Sequence, residues 1–182
     1  MCNSLDQKVH DDSHAAAGDN YATVTTLATR QAFGGVQLIG TTDNYYVFLK
    51  EISSDGNVNS ADVVFPTMPI FLYFNPDLLR RTLQPLVEFQ EGGLYPHSYA
   101  MHDMGTHYPN ATGHPAGDDE YMPLEECGDM IIAMLAYANA ANDHGYLSQH
   151  YKLLSQWAGY LRDEALLPAG QKSTDDFAGS LA

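Results

Sequence analysis

Residues 95 to 130, YPHSYAMHDMGTHYPNATGHPAGDDEYMPLEECGDM, hold four histidines (His97, His102, His107, His114) and seven carboxylates in one stretch. Imidazoles and carboxylates are the groups that move protons near neutral pH. The neighbours His102 and Asp103 form a candidate pair for abstracting or returning a proton. The histidines are separated by five, five and seven residues on a Gly/Pro-rich stretch. That spacing matches no zinc signature such as HExxH or CxxC, so neither a metal nor a cofactor is expected. Glu125 and Glu126 fall in the first turn of a helix expected to start at Pro123, where the helix dipole favours ionised carboxylates by roughly 0.3 to 1 kcal/mol. A base or ligand role suits them there, and the ordinary alternative is that both are simply dipole partners. Asp175 and Asp176, in STDDFAG, form a second acidic pair, with helix capping as the structural alternative. The run Asp118, Asp119 and Glu120 reads as solvated loop. GxSxG, Walker and GxGxxG patterns are absent from the sequence, which removes the commonest serine hydrolase, nucleotide and dinucleotide readings.

Positioning these groups requires a scaffold, and the pattern predicts a mainly helical one. Apolar residues at Val24, Leu27, Ala28 and Ala32 predict a helix over residues 21 to 33, stopped by Gly34 and Gly35. The β-branched and aromatic runs around residues 40 to 44 predict a hairpin. ADVVFPTMPIFLYF is apolar throughout, and Pro66 and Pro69 argue against a long strand there, leaving a short buried helix. Asn75, Pro76 and Asp77 carry the cap, first-turn proline and acid of a helix start, and Pro85 should kink the helix that follows. Cys127, Met130, Ile131, Met134, Leu135 and Ala138 recur at helical spacing. Projection at about 100° per residue centres their stripe near Ile131 and Ala138, with Glu125 and Glu126 pointing away from it. A second run, at Leu147, Tyr151, Leu154, Ala158 and Leu161, follows a short turn and completes an αα-hairpin. Residues 1 to 18 are polar and small, and are expected to form a disordered leader.

With 182 residues, 45% of them hydrophobic and 11% aromatic, the chain can build one domain with a real core. Eight Lys and Arg against 23 Asp and Glu leave a formal charge of −15, which repels nucleic acid and anionic membrane surfaces. No apolar run is long enough to span a membrane, and the first residues contain no apolar export signal. Cys2 and Cys127 lie in very different contexts and are not expected to pair. Asn110-Ala-Thr112 fits a glycosylation sequon, of consequence only in a secreted protein.

The blocks FLKEISSDGNVNSADVVFPTMPIFLYFNPDLL, YPHSYAMHDMGTHYPNATGHPAGDDEYMPLEECGDMIIAMLAYA and STDDFAGSLA, in that order, closely resemble the secreted glutaminase A family of fungi, from about Tyr21 to Ala182. The resemblance implies αα-hairpins forming part of an (α/α) six-hairpin toroid, with a small β element near the N-terminus. It divides the chain into a leader (1–18), a helix with the remnant of a preceding β domain and linker (19–60), and a partial toroid (61–182). It implies hydrolysis of L-glutamine to L-glutamate and ammonia, a small-molecule substrate and an extracellular location. Family members are several times longer, so this chain reads as a fragment, its unclosed inner helices exposed to self-association. A site at the toroid mouth would draw catalytic acids from Asp103, Glu125, Glu126, Asp175 and Asp176, and substrate contacts from His102, His107, Tyr108 and His114. In that scheme Glu126 or Asp103 activates water, Asp176 protonates the departing ammonia and His102 shuttles a proton, with Thr106 or Thr174 as alternative nucleophiles. A glycoside hydrolase using paired acids and a non-catalytic helical fragment are the rival readings.

Overall fold

A computed structural model of the chain describes residues 2–51, 56–106, 110–168 and 170. The chain forms two compact units, residues 1–36 and 37–182. In the first, α1 (Cys2–Gly34) is two helical stretches joined where Ala17 and Gly18 leave helical dihedrals, with Gly18 at φ 78°. Thr25 Oγ1 donates to Ser13 Oγ at 2.8 Å, and Val9 and Ala22 are buried. That contact is out of reach within one straight helix, so the stretches double back on each other. The expected disordered leader is therefore helical from Cys2. Its alanine run and the i,i+4 pairs Gln7–Asp11 and Lys8–Asp12 favour helix, and the second stretch supplies the apolar contact that a lone helix lacks.

The expected hairpin is present as β1 (Val36–Gly40) and β2 (Tyr45–Leu49). Thr41 N–H donates to the Asn44 carbonyl at 2.8 Å across its turn. Gly40 sits at φ 132°, where a Cβ would lie 2.3 Å from the Asn44 oxygen, so only glycine fits. Val47, Phe48 and Leu49 are buried, and β2 packs on α3 (Pro76–Glu91). Asn59, at φ 56°, fastens this junction: its Oδ1 accepts the Leu49 N–H at 2.6 Å, and its Nδ2 donates to the carbonyls of Val47 (3.2 Å) and Thr82 (2.9 Å).

α2 (Ala61–Phe74) carries Pro66 and Pro69 inside a helix, each removing one i→i−4 bond. α3 starts as its sequence dictates, with the Asn75 side chain accepting from Asp77 N–H and Pro76 in the first turn, and it continues through Pro85. Leu79, Leu83, Leu86 and Val87 form its buried face. α4 (Pro123–Ala141) ends at Asn142 in the left-handed conformation. The following run is split into α5 (His144–Gln149), capped by Asp143, and α6 (Tyr151–Glu164), whose Trp157 is fully buried. α2 packs on α3 and α4, and α4 on α3 and α6. The second unit is thus mainly α, built from consecutive helical hairpins as expected.

The buried face of α4 is Cys127, Met130, Ala133, Met134, Tyr137 and Ala138, whereas Ile132 and Leu135 are 47% and 42% exposed. This is a rotation away from the stripe projected through Ile131, and it brings Glu126, one turn before Met130, onto the buried side. The other edge, Ile131 and Leu135, faces Leu147, Tyr151 and Leu154 across an open apolar groove of about 450 Å³.

Candidate functional site

The segment 100–106 is strapped to the segment before α2 by main-chain bonds. Val58 N–H donates to Gly105 O (3.0 Å), Met104 N–H to Val58 O (2.9 Å) and Ala61 N–H to His102 O (2.8 Å). Met101 N–H donates to Gln90 Oε1 at 3.2 Å, and Ala100 N–H points at Cys127 Sγ at 3.2 Å. These bonds place His102 between the first turns of α2 and α4, which supply Asp62 and Glu126. His102, Asp103 and Glu126 are 4%, 1% and 0% exposed, so the stretch that reads as a polar loop is in large part interior.

The two edges of the His102 ring meet different surroundings. Nδ1–H donates to Asp103 Oδ2 at 2.7 Å. Asp103 also accepts from His114 Nε2 at 2.8 Å and from the Gly105 N–H. Burial alone would raise the Asp103 carboxyl, but the hydrogen bonds from both histidines outweigh it and hold the group far below the usual carboxylate range. The bond to Asp103 lifts His114 to about 9, against the opposing effect of burial. His102 is likewise raised, the attraction of Asp103, Asp62 and Asp119 overcoming its burial. These groups border a cleft of about 260 Å³ whose other carboxylates include Asp118, Asp119 and Glu120.

The opposite edge, Nε2, lies 3.7 Å from Asp62 Oδ1 and 3.7 Å from Glu126 Oε1. Both distances exceed a hydrogen bond. Nε2 and both Glu126 carboxylate oxygens are buried without a hydrogen-bond partner. Burial, reinforced by Asp62 and Asp129, pushes the Glu126 carboxyl well above its ordinary value. Burial also raises Glu125, and raises Asp129 to about 7. The expectation that the helix dipole keeps Glu126 ionised and away from the core is therefore overturned: desolvation costs several kcal/mol against the dipole's roughly 0.3 to 1 kcal/mol.

Of the residues singled out from sequence, His102, Asp103, His114 and Glu126 are brought together, with Glu125 half-buried beside them. Asp175, Asp176, His107, Tyr108 and Thr174 lie outside the described residues. Thr106 is exposed at the cleft, and Asn110 is exposed. His97 stands apart, exposed and stacked on Tyr99. The acidic run is not wholly solvated: Asp118 is exposed, but Asp119 accepts the His102 main-chain N–H at 2.9 Å and the Tyr95 hydroxyl at 3.0 Å. Cys127 is a free, buried thiol pushed up to about 12 by burial, which leaves it without nucleophilic character. Sequence reasoning missed Asp62, whose one visible signal is an acid in the second position of an otherwise apolar helix. Asp62, His102 and Glu126 each offer one ligand atom, all within 4.8 Å of one another. The histidine spacing that argued against metal ligands does not register this set, because its members come from three separate segments.

Residues 18–182 match the family model described as the glutaminase A six helical-hairpin domain. The chain is 59% identical over its full 182 residues to Glutaminase A of Aspergillus oryzae, covering 26% of that protein. It is 38% identical, over 94% of its length, to a probable glutaminase of Arthroderma benhamiae, again covering 26% of the relative. The chain thus spans about a quarter of the length of either relative. His102 and its neighbours, and the helical hairpins around them, fall within the matched residues, and the chain belongs to the glutaminase A six helical-hairpin family.

Proposed function

We propose that this chain forms one wall of a hydrolase site that converts L-glutamine to L-glutamate and ammonia. The observation that carries the reading is the cluster of half-buried Asp62 with buried His102 and Glu126, in a chain 59% identical to a protein named Glutaminase A. Hydrolysis of a side-chain amide needs a polarised water beside the carbonyl carbon and a proton for the departing nitrogen. The Asp62–His102–Glu126 cluster is the group that orients and polarises the water, and Asp103, bonded to Nδ1, fixes the imidazole for that task. The water oxygen bonds to the amide carbon, the C–N bond breaks, and nitrogen leaves as ammonia with a proton returned by an acid. Asp176, outside the described residues, is the candidate for that acid. The extracellular location implied by the resemblance belongs to the same proposal; among the described residues, no helix is long and apolar enough to cross a membrane.

The test replaces the matching segment of the Aspergillus oryzae relative with residues 18–182 of this chain. Ammonia release from L-glutamine is then followed, with aryl glycosides as comparison substrates. The chimera is expected to release ammonia, and His102→Ala and Glu126→Gln are each expected to reduce the rate by roughly a hundredfold or more. Sugar release without ammonia, or full activity in both variants, would overturn the reading.

A further inference from the structure

We propose that Asp62, His102 and Glu126 form a binding site for one divalent first-row transition cation, held by the imidazole Nε2 and one oxygen from each carboxylate. The geometry carries the inference. Two donors each about 2.1 Å from a cation, at angles of about 90° to 130°, lie roughly 3.0 to 3.8 Å apart. Nε2 is 3.7 Å from Asp62 Oδ1 and 3.7 Å from Glu126 Oε1, and all three donors fall within 4.8 Å of one another. The same distances are too long for hydrogen bonds between the imidazole and either carboxylate.

Three further features point the same way. Nε2 and both Glu126 oxygens are buried with no hydrogen-bond partner, an arrangement that costs stability unless something compensates it. On the far side of the ring, Nδ1–H is held by Asp103 Oδ2 at 2.7 Å. That outer carboxylate is the usual companion of a metal-bound histidine, because it fixes the tautomer that leaves the Nε2 lone pair facing the ion. Negative charge is also in surplus. Glu125 and Asp129 stand beside the cluster, both within reach of the Asp62 charge. Among the described residues the arginine and lysine ion pairs lie elsewhere, at Lys8–Asp12, Arg80 and Arg81 with Asp77, and Arg162–Asp163.

The donor set selects the ion. One imidazole with two carboxylates suits Zn²⁺ or Mn²⁺, whereas Ca²⁺ favours an all-oxygen shell of six to eight ligands. Such a cation polarises bound water, the task assigned above to this cluster, but its binding can be measured without any turnover.

The chain is stripped with chelator and dialysed against Zn²⁺, Mn²⁺ or Ca²⁺, and bound metal per chain is counted by elemental mass spectrometry, with affinities from calorimetry. One Zn²⁺ or Mn²⁺ per chain is expected. Asp62→Asn and Glu126→Gln should each weaken binding roughly tenfold or more, and the exposed Asp163→Asn should leave it unchanged. Pulsed paramagnetic resonance of the Mn²⁺-loaded chain should show coupling to an imidazole nitrogen, a readout that needs no variant to fold. Circular dichroism confirms that variants compared for affinity are folded. No stoichiometric uptake, equal uptake by wild type and both site variants, Ca²⁺ bound as tightly as Zn²⁺, or no nitrogen coupling would each overturn the site. Ammonia release by the chimera in excess chelator would overturn the metal and leave the amide reading standing, while metal uptake by this chain with no ammonia from the chimera would do the reverse.

Discussion

The two edges of His102 enclose two buried acids that differ in everything except burial. On the Nδ1 side, Asp103 accepts from His102, His114 and the Gly105 main chain. On the Nε2 side, Glu126 is equally buried and neither of its oxygens receives a hydrogen bond. The first arrangement is a finished structural network, in which every donor has an acceptor and the carboxylate is held ionised. The second is an arrangement that folding alone does not favour, because an unsatisfied buried carboxyl costs stability. Buried polar atoms without a hydrogen bond, here the imidazole Nε2 and the Glu126 carboxylate, mark the side of the ring that awaits a ligand or a reacting atom. Asp103 holds the imidazole in place, and Glu126 and Asp62 face what it acts on.

Removing Asp103 should separate the two sides most sharply. Asp103→Asn deletes the negative charge that both histidines face, and is expected to destabilise the chain by about 3 to 5 kcal/mol, as for the loss of one partner in a buried pair; chemical denaturation measures it. Asn59→Ala should come next. It removes three hydrogen bonds from the junction that supports the 100–106 strap and leaves a β-carbon at φ 56°, at a cost of roughly 3 kcal/mol. Glu126→Gln should have the opposite sign, with the metal-free chain gaining roughly 1 to 2 kcal/mol because the buried group can no longer ionise. A loss as large as that of Asp103→Asn would erase the contrast between the two acids.

The smallest effect concerns pH. His114 is raised from an ordinary value near 6.5 to about 9, first by its bond to Asp103. Its folded pKa lies above its unfolded one, so its contribution is fully present below pH ~6.5 and is lost as pH rises through about 9. Thermal midpoints of wild type should therefore fall more between pH 6.5 and 9 than those of His114→Gln. Equal slopes would show that His114 is not bound to the ionised side of the ring.

Much of the scaffold is legible in the sequence. Asn75-Pro76-Asp77 announces the start of α3, Gly40 and its flanks announce the hairpin, and the heptad-like run after Pro123 announces α4. These signals are local: a cap, a required positive φ or a periodicity acts within a few residues. The adjacent His102 and Asp103 are also legible as a pair, and they do meet. The rotation of α4 is less so, because a helix with apolar residues on several faces, such as Ile131, Ile132 and Leu135, does not state which face its neighbours will cover. The order of the leader fails for the same reason, since Val9 has an apolar partner only once the chain doubles back at Gly18.

By itself, then, the amino-acid sequence determined a mainly helical chain of consecutive hairpins, its strong negative charge, and a concentration of imidazole and carboxylate ahead of α4. Only the tertiary structure decided that Asp62 belongs with His102 and Glu126, that Asp119 ties the loop down while Asp118 stays in water, and that Glu126 lies in the interior. The physical reason is range. Helix propensity, capping and turn chemistry act between near neighbours, whereas desolvation and the convergence of two helix starts on one imidazole arise from contacts between residues 40 and 24 positions away from His102 in sequence.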